Sequence, residues 1–155
     1  RVSVEVNLFI PQVIQYPDPK DEDQSQFSLP HAVAAAVLEE RVSPESFGDK
    51  SINDPLFKAM RAKVDTVVRE EWGWATIGWT PTITVSLKNG ERLVARPERA
   101  SGQPPDYFSF DQVTGKYRTC VEPKLEKGRI DRSIEMVRKL EECGDIGEIV
   151  REVAR

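Results

Sequence analysis

The chain has 155 residues, of which 39% are hydrophobic and 31% are charged, and its formal net charge is −4. This composition is typical of a soluble globular protein with one compact domain, or with one domain and an appendage. The mild acidity argues against a nucleic-acid-binding protein, and no apolar run approaches the roughly 20 residues that a transmembrane helix needs.

The two cysteines, Cys120 and Cys143, lie in segments with helical patterns and lack the spacing of metal ligands. Thiols of this kind are typical of a reducing compartment, and we therefore predict a cytoplasmic protein. A nucleophilic cysteine is the less favoured alternative, because a reactive thiolate needs a basic neighbour and the only histidine lies far away in the sequence. The chain starts at Arg1 without a signal peptide, and we expect further sequence upstream.

The first part of the chain predicts a strand, a loop and a helix. Apolar and polar residues alternate from Val2 to Leu8, which is the period of a half-buried strand. Residues 15–26 are polar, include an acidic cluster and predict an exposed, solvated loop. Ser28 is a good N-cap, and the alanine-rich segment after it predicts a helix that is buried on several sides.

The middle of the chain predicts a further helix and a β-hairpin. Asp54-Pro55 begins the helix, and the alternation over residues 64–68 predicts a second strand. Residues 82–87 and 92–95 have the composition of strands and are joined through Asn89-Gly90. Because Asn-Gly favours the positive φ angles of a type I′ turn, these two segments predict a hairpin.

The last third of the sequence is helical. Ser109 and Gln112 form a capping box at the start of one helix. A second, amphipathic helix is predicted to end at Gly144, and a third to begin at Asp145. The apolar face of the second helix is predicted to consist of Ile130, Ile134, Val137 and Leu140. The inward residues of the third are predicted to be Ile146, Ile149, Val150 and Val153.

The hairpin and the separation of strands from helices favour an α+β fold over a wound parallel sheet. We predict a small antiparallel sheet with helices packed on one side of it, followed by C-terminal helices.

His31 is the strongest single candidate for chemistry. It is the only histidine and lies in the first turn of the alanine-rich helix, where the partial positive charge favours anions and disfavours an imidazolium. A neutral imidazole there could donate a hydrogen bond to a carboxylate or exchange a proton. A histidine that only makes local hydrogen bonds is the alternative, which the residues by themselves favour.

Other clusters have two interpretations each. The three tryptophans, Trp72, Trp74 and Trp79, could form an interface or pack under a loop. The favoured interpretation of the basic residues Arg92, Arg96 and Arg99 is the solvated face of a strand, and the less favoured one is a carboxylate-binding site. The outer face of the amphipathic helix is predicted to carry Arg129, Arg132, Arg138 and Lys139. No phosphate-binding loop, metal-ligand spacing or catalytic triad signature is present.

Four segments, in order, resemble the MmgE/PrpD family. Residues 26–38 read Q-F-S-L-P-H-A-V-A-A-A-V-L and resemble its F-S-L-P-Y-A-V-A-x-A-L-L-x-G segment. Asp54-Pro55 through Val64 resembles its D-P-x-V-x-x-L-x-x-K/R-V stretch, and residues 84–90 resemble its V-T-V-x-L-K/R-D-G hairpin. Gly102-Gln103-Pro104 and then Lys116-Tyr117-Arg118 resemble its G-x-P … K-F passage.

The resemblance implies a fold and an activity. The family, which includes 2-methylcitrate dehydratase, cis-aconitate decarboxylase and iminodisuccinate epimerase, has a large helical domain and a smaller α+β lid domain with the active site between them. Residues 1–108 are then expected to form the lid, and residues 109–155 to be helices that pack on a helical domain outside this chain. The implied activity is that of a cofactor-independent lyase or isomerase of small polycarboxylic acids, with a 2-methylcitrate dehydratase-like hydro-lyase as the first expectation. The isolated chain is expected to be inactive.

The resemblance also implies site residues and partners. The family tyrosine that faces the substrate from the lid falls on His31, which makes His31 the expected catalytic residue and Ser28 with His31 the expected substrate-binding pair. No metal, cofactor, nucleic acid or membrane is expected, and the apolar C-terminal helix favours a homo-oligomer. A non-catalytic association module is the alternative function.

Overall fold

A computed structural model of the chain describes residues 1–40, 42–74, 80–98, 101–102 and 104–154. Within these residues the strands are β1 (Val2–Val6), β2 (Val64–Val68), β3 (Thr82–Ser86) and β4 (Arg92–Ala95). The first five helices are α1 (Ile10–Val13), α2 (Glu22–Gln26), α3 (Leu29–Leu38), α4 (Asp49–Asn53) and α5 (Pro55–Arg61). The last three are α6 (Phe110–Val121), α7 (Lys127–Arg138) and α8 (Gly147–Val153). Short 3-10 helices lie at Pro44–Phe47, Glu70–Trp72 and Leu140–Glu142.

The chain divides into two compact units, Arg1–Gln103 and Pro104–Arg155. The first contains the sheet with α1 to α5, and the second contains α6, α7 and α8. The predicted α+β fold class is confirmed. The predicted domain boundary after residue 108 stays a prediction.

The sheet is built around β1, and the strand order is β2-β1-β3-β4. β1 pairs antiparallel with β3 but parallel with β2, in the register Val2 to Val64. The sheet is therefore mixed, whereas the sequence predicted an antiparallel one. The physical reason is the long connection from β1 to β2: a chain that crosses over through helices returns in the same direction, as parallel pairing requires.

The core of the first unit lies on one face of β1. Val2, Val4 and Val6 are each at most 3% exposed, as the alternation predicts. Burying each of them stabilises the fold by about 1.5–3 kcal/mol. Partly buried side chains from α1, α3 and α5 pack on this face, among them Ile10, Val33 and Met60. A second small core, formed by Ala34, Ala35 and Phe57, joins α3 to α5.

Two expectations about the helices of the first unit are wrong in part. The predicted loop over residues 15–26 contains α2, which Asp21 caps by accepting the Gln24 backbone N–H. The predicted burial of α3 holds only for its first turns. Val37 is 53% exposed and Leu38 is 39% exposed, because no described element covers that end of the helix.

The hairpin is confirmed, but its turn is not type I′. The Gly90 N–H donates to the Leu87 carbonyl at 3.2 Å, and the Leu87 N–H donates to the Glu91 carbonyl at 2.8 Å. Gly90 has a φ of +89°, whereas Asn89 does not have a positive φ. A loop of three residues with one left-handed glycine is the geometry of a type I turn followed by a G1 bulge.

The second unit also departs from the predicted pattern at its end. The capping box of Ser109 and Gln112 is present at the start of α6. Ile130 and Ile134 are buried, but α7 ends at Arg138, so Leu140 lies in a 3-10 helix and is 45% exposed. The helix does not continue to Gly144.

The inward face predicted for α8 is largely wrong. Three of its four residues are exposed: Ile146, Val150 and Val153. Asp145 lies one residue before the N-cap, and its carboxylate still accepts the Gly147 N–H at 2.8 Å. Trp79 and Arg99 lie outside the described residues.

The hairpin turn yields a stability test. We expect Gly90→Ala to destabilise the chain by about 1 kcal/mol, because a side chain in the left-handed region contacts its own carbonyl. Lys88→Ala, at a position of the same loop without a positive φ, is the control and should change the free energy of unfolding by less than about 0.5 kcal/mol. Urea denaturation measures both, and equal effects would contradict the G1 bulge.

Candidate functional site

The first turn of α3 is held by Ser28. Its backbone is extended, with φ −120° and ψ 106°, and its hydroxyl accepts the backbone N–H of His31 at 3.2 Å. Pro30 follows within the first turn, where a missing N–H costs little. Ser28 is 2% exposed, so the predicted substrate-binding hydroxyl is turned into the fold and used as a helix cap.

The imidazole of His31 is completely buried, with 0% exposure. Its Nε2 lies 2.8 Å from the carbonyl oxygen of Ser46, and its Nδ1 lies 3.3 Å from Nη1 of Arg61. The rings of Phe47 and Phe57 pack beside it, with centroids 5.8 and 5.3 Å away. Both ring nitrogens are therefore engaged within the first unit.

Arg61 brings a positive charge into the same region. Its side chain is 3% exposed, and Nη1 also donates to the Ile52 carbonyl at 3.2 Å. Nη2 donates to Asp18 at 3.0 Å, while the buried Nε has no hydrogen-bond partner among the described groups. Hydrogen bonds from Lys20 and then from Arg61 lower the pKa of Asp18, so this carboxylate is ionised and compensates the buried cation.

The surroundings of His31 oppose its protonation. Burial, the largest cause, lowers the pKa of the imidazole below its ordinary value of 6.5, and the positive charge of Arg61 lowers it further. The Ser46 carbonyl and Glu39 act in the opposite direction. His31 is therefore neutral at pH 7.

Sequence reasoning missed Arg61, Asp18 and Ser46. A signal for Arg61 was available, because it lies four residues after Phe57 on α5 and so shares its buried face. No local pattern indicates Asp18 or the Ser46 carbonyl, which are separated from their partners by 43 and 15 residues.

A shallow cavity of about 260 Å³ lies beside the first turn of α3, lined by residues that include Gln15, Leu29, Pro30 and Thr66. None of its lining residues is charged. It therefore lacks the cationic partners that a polycarboxylate requires. The described residues also contain no group of three or more His, Cys, Asp or Glu side chains able to hold a metal ion.

The chain matches the family described as the MmgE/PrpD C-terminal domain over residues 1–142. It belongs to the MmgE/PrpD family. Cis-aconitate decarboxylase from Mus musculus is 21% identical over 140 residues, which are 90% of this chain and 29% of that protein. The chain thus spans less than a third of the length of the curated relative that it matches.

The other predicted clusters of this MmgE/PrpD domain have mainly surface roles. All of β4 is exposed, including Arg92. The Cζ atom of Arg96 lies 5.8 Å from the ring centroid of Trp72. Trp74 is 60% exposed, which favours the interface interpretation for this residue, whereas Trp72 is half-buried. Among the described helices, none is long and apolar enough to cross a membrane.

The arginines of α7 are also not simply solvated. Arg129 donates to the carbonyls of Arg151 and Ala154 at the end of α8, and Arg132 pairs with Glu152. The thiols are free, with Cys120 exposed and Cys143 partly buried.

Burial of a neutral histidine predicts a pH-dependent stability. The unfolded chain binds a proton near pH 6.5, whereas the folded chain binds it only at lower pH. The contribution of the neutral His31 to the free energy of unfolding should therefore be fully present above about pH 7. It should decrease as the pH falls through about 6.5. Urea denaturation between about pH 7.5 and pH 5.5 measures the slope.

His31→Gln is the control, since glutamine does not titrate but has a donor for Ser46 and an acceptor for Arg61. Because the chain has one histidine, the slope in this range should largely disappear in the variant. An unchanged slope would show that another group is responsible.

Proposed function

We propose that this chain is the C-terminal, substrate-capping part of a cofactor-independent lyase or isomerase that acts on small polycarboxylic acids. The observation that carries the proposal is the family match over residues 1–142. The similarity to a decarboxylase of cis-aconitate is consistent with a substrate of this class. A cytoplasmic location and a homo-oligomer are part of the proposal.

The fold supports a capping role. The first turns of α3 pack on β1, Ser28 is a buried cap and His31 is held on two sides. Well-packed elements of this kind can cover a substrate, exclude water and complete a site shared with another part of the protein.

The chemistry proposed for the site is removal of a proton next to a carboxylate. Hydrogen bonds and cationic side chains would stabilise the resulting carbanion. The partial positive charge at the start of α3 favours an anionic substrate nearby. The general base would lie outside this chain, since both nitrogens of His31 are engaged and the lowered pKa of Asp18 makes this carboxylate a weak base.

The proposed reaction is dehydration of a 2-methylcitrate-like acid, and the alternatives are decarboxylation and epimerisation. His31 is the proposed proton or hydrogen-bond donor of the lid. To reach a substrate, its Nε2–H would have to exchange the Ser46 carbonyl for a substrate oxygen, which requires the Pro44–Phe47 segment to shift.

Proton NMR in heavy water tests the activity. The full-length gene product that contains this chain is incubated with 2-methylcitrate, citrate and cis-aconitate. We expect turnover, or deuterium exchange next to a carboxylate, with at least one of them, and none from the 155-residue chain alone. No reaction with any of the three from a folded protein would contradict the proposed substrate class.

His31→Gln separates a chemical role from a structural one. Its amide can keep both hydrogen bonds but cannot transfer a proton, so we expect the rate to fall by about 10²-fold or more. Lys58→Gln on the exposed side of α5 is the control and should leave the rate unchanged. Full activity of a folded His31→Gln protein would assign His31 to structure alone.

A second candidate function is a non-catalytic association module, and one observation favours it. An apolar groove of about 220 Å³ opens between α6, α7 and α8. Its rim includes Phe110, Val113 and Val137, which are 36%, 51% and 44% exposed. Contiguous exposed apolar surface of this kind is often an interaction site.

Light scattering tests association through this groove. We expect the 155-residue chain to self-associate at high concentration, and Val137→Glu to reduce the association because a charge in the groove has to be desolvated. Ile146→Glu is the matched control, since Ile146 is 67% exposed but does not line the groove. Equal behaviour of the two variants, or a monomeric chain at all concentrations, would count against this candidate.

A further inference from the structure

The hydrogen bonds around His31 specify which of its nitrogens carries the proton. A guanidinium has five N–H donors, no acceptor and a charge that is never lost in proteins. Arg61 Nη1, which lies 3.3 Å from Nδ1, can therefore only donate. Nδ1 must supply a lone pair, and so it carries no proton.

The other side of the ring leads to the same assignment independently. A backbone carbonyl can only accept, and the Ser46 oxygen lies 2.8 Å from Nε2. Nε2 must therefore carry the proton. Of the three forms of the ring, only the neutral Nε2–H tautomer satisfies both neighbours at once, because an imidazolium would direct its Nδ1–H at the guanidinium.

The charges on each element around the ring have different effects. Arg61 approaches from α5, and Asp18, on the far side of Arg61, compensates its charge without touching the ring. Glu39, at the end of α3, accepts a hydrogen bond from the Ser46 hydroxyl and is the other charged group, among the described residues, that acts on His31. Glu39 favours the imidazolium, whereas Arg61 is in direct contact with the ring and opposes it.

We propose that Arg61 is a positioning residue that, opposite the Ser46 carbonyl, holds His31 as the neutral Nε2–H form and thereby keeps the one donor of the ring directed at Ser46. The bond to Ser46 connects α3 to the Pro44–Phe47 segment across 15 residues of chain. This assignment concerns the protonation of His31 itself and does not depend on the proposed function. If the lid is catalytic, Arg61 determines the form in which His31 is available.

Nitrogen NMR of the 155-residue chain tests the proposal. Since His31 is the only histidine, long-range ¹H–¹⁵N spectra contain one imidazole, whose shifts identify its protonation state. We expect the Nε2–H tautomer at about pH 7.5 and a titration midpoint below the ordinary value of 6.5. An Nδ1–H tautomer or a cationic ring in the wild-type chain would overturn the proposal.

Arg61→Gln and Lys58→Gln form a matched pair, since each removes one positive charge from α5. We expect Arg61→Gln to move the midpoint of His31 to higher pH, because the adjacent cation is lost, and Lys58→Gln to leave it in place. Arg61→Met removes the donor as well, so nothing opposes protonation of Nδ1 and the midpoint should rise by at least as much, while the Ser46 carbonyl keeps a proton on Nε2.

These readouts differ from those of a merely structural arginine. If Arg61 only filled space, Arg61→Met would preserve the titration midpoint of His31 in the wild-type chain, and that result would refute the proposal. Circular dichroism establishes which variants are folded. If Arg61→Met is unfolded, the midpoints of His31 in Arg61→Gln and Lys58→Gln are compared instead. Equal midpoints in these two variants, or a wild-type ring that is not the Nε2–H tautomer, would refute the proposal.

Discussion

A buried guanidinium has to be matched by hydrogen-bond acceptors, and in this protein that requirement connects elements that are distant in sequence. Transfer of a charged group out of water costs several kcal/mol even after relaxation. Arg61 offsets this cost with the Ile52 carbonyl, the Nδ1 of His31 and the carboxylate of Asp18. Through these contacts the end of α5 determines the position of the loop before α2, the start of α3 and, through His31, the Pro44–Phe47 segment.

The sheet explains why this network is formed at one place. β1 supplies an apolar face of three valines, and α3 and α5 both pack on it. Small residues at Ala34 and Ala35 allow the two helices to approach closely, which brings His31 and Arg61 together although they are 30 residues apart. The crossover that carries these helices also makes the β1–β2 pairing parallel.

The arrangement limits what His31 can do. In this MmgE/PrpD domain the fold commits both nitrogens of His31, the residue that the resemblance matches to a family tyrosine. Histidine has a much lower pKa than tyrosine, and the burial and the neighbouring arginine of His31 lower its pKa further. The ring is thus a neutral donor with its partner already in place, and access of a substrate to it requires a change in the Ser46 contact.

The elements of this protein were largely determined by local sequence. Features that depend on neighbours within four residues were predicted as the structure contains them. These are the alternation of β1, the cap at Ser28, the start of α5 at Asp54-Pro55 and the capping box at Ser109. The pattern also sufficed for the α+β class and for the family resemblance. At Asn89-Gly90 local reasoning found the hairpin but selected the wrong turn, since loop length depends on the register of the two strands.

Tertiary structure decided the remainder. Several features depend on which surfaces meet in space. They are the direction of β2, the exposure of the end of α3 and of one side of α8, and the partners of His31. A sequence places His31 in a helix and near a positive helix end, but it does not show that Arg61 and the Ser46 carbonyl will lie on either side of the ring. Whether a histidine faces solvent or a buried cation is a property of packing between distant segments, and only the folded chain determines it.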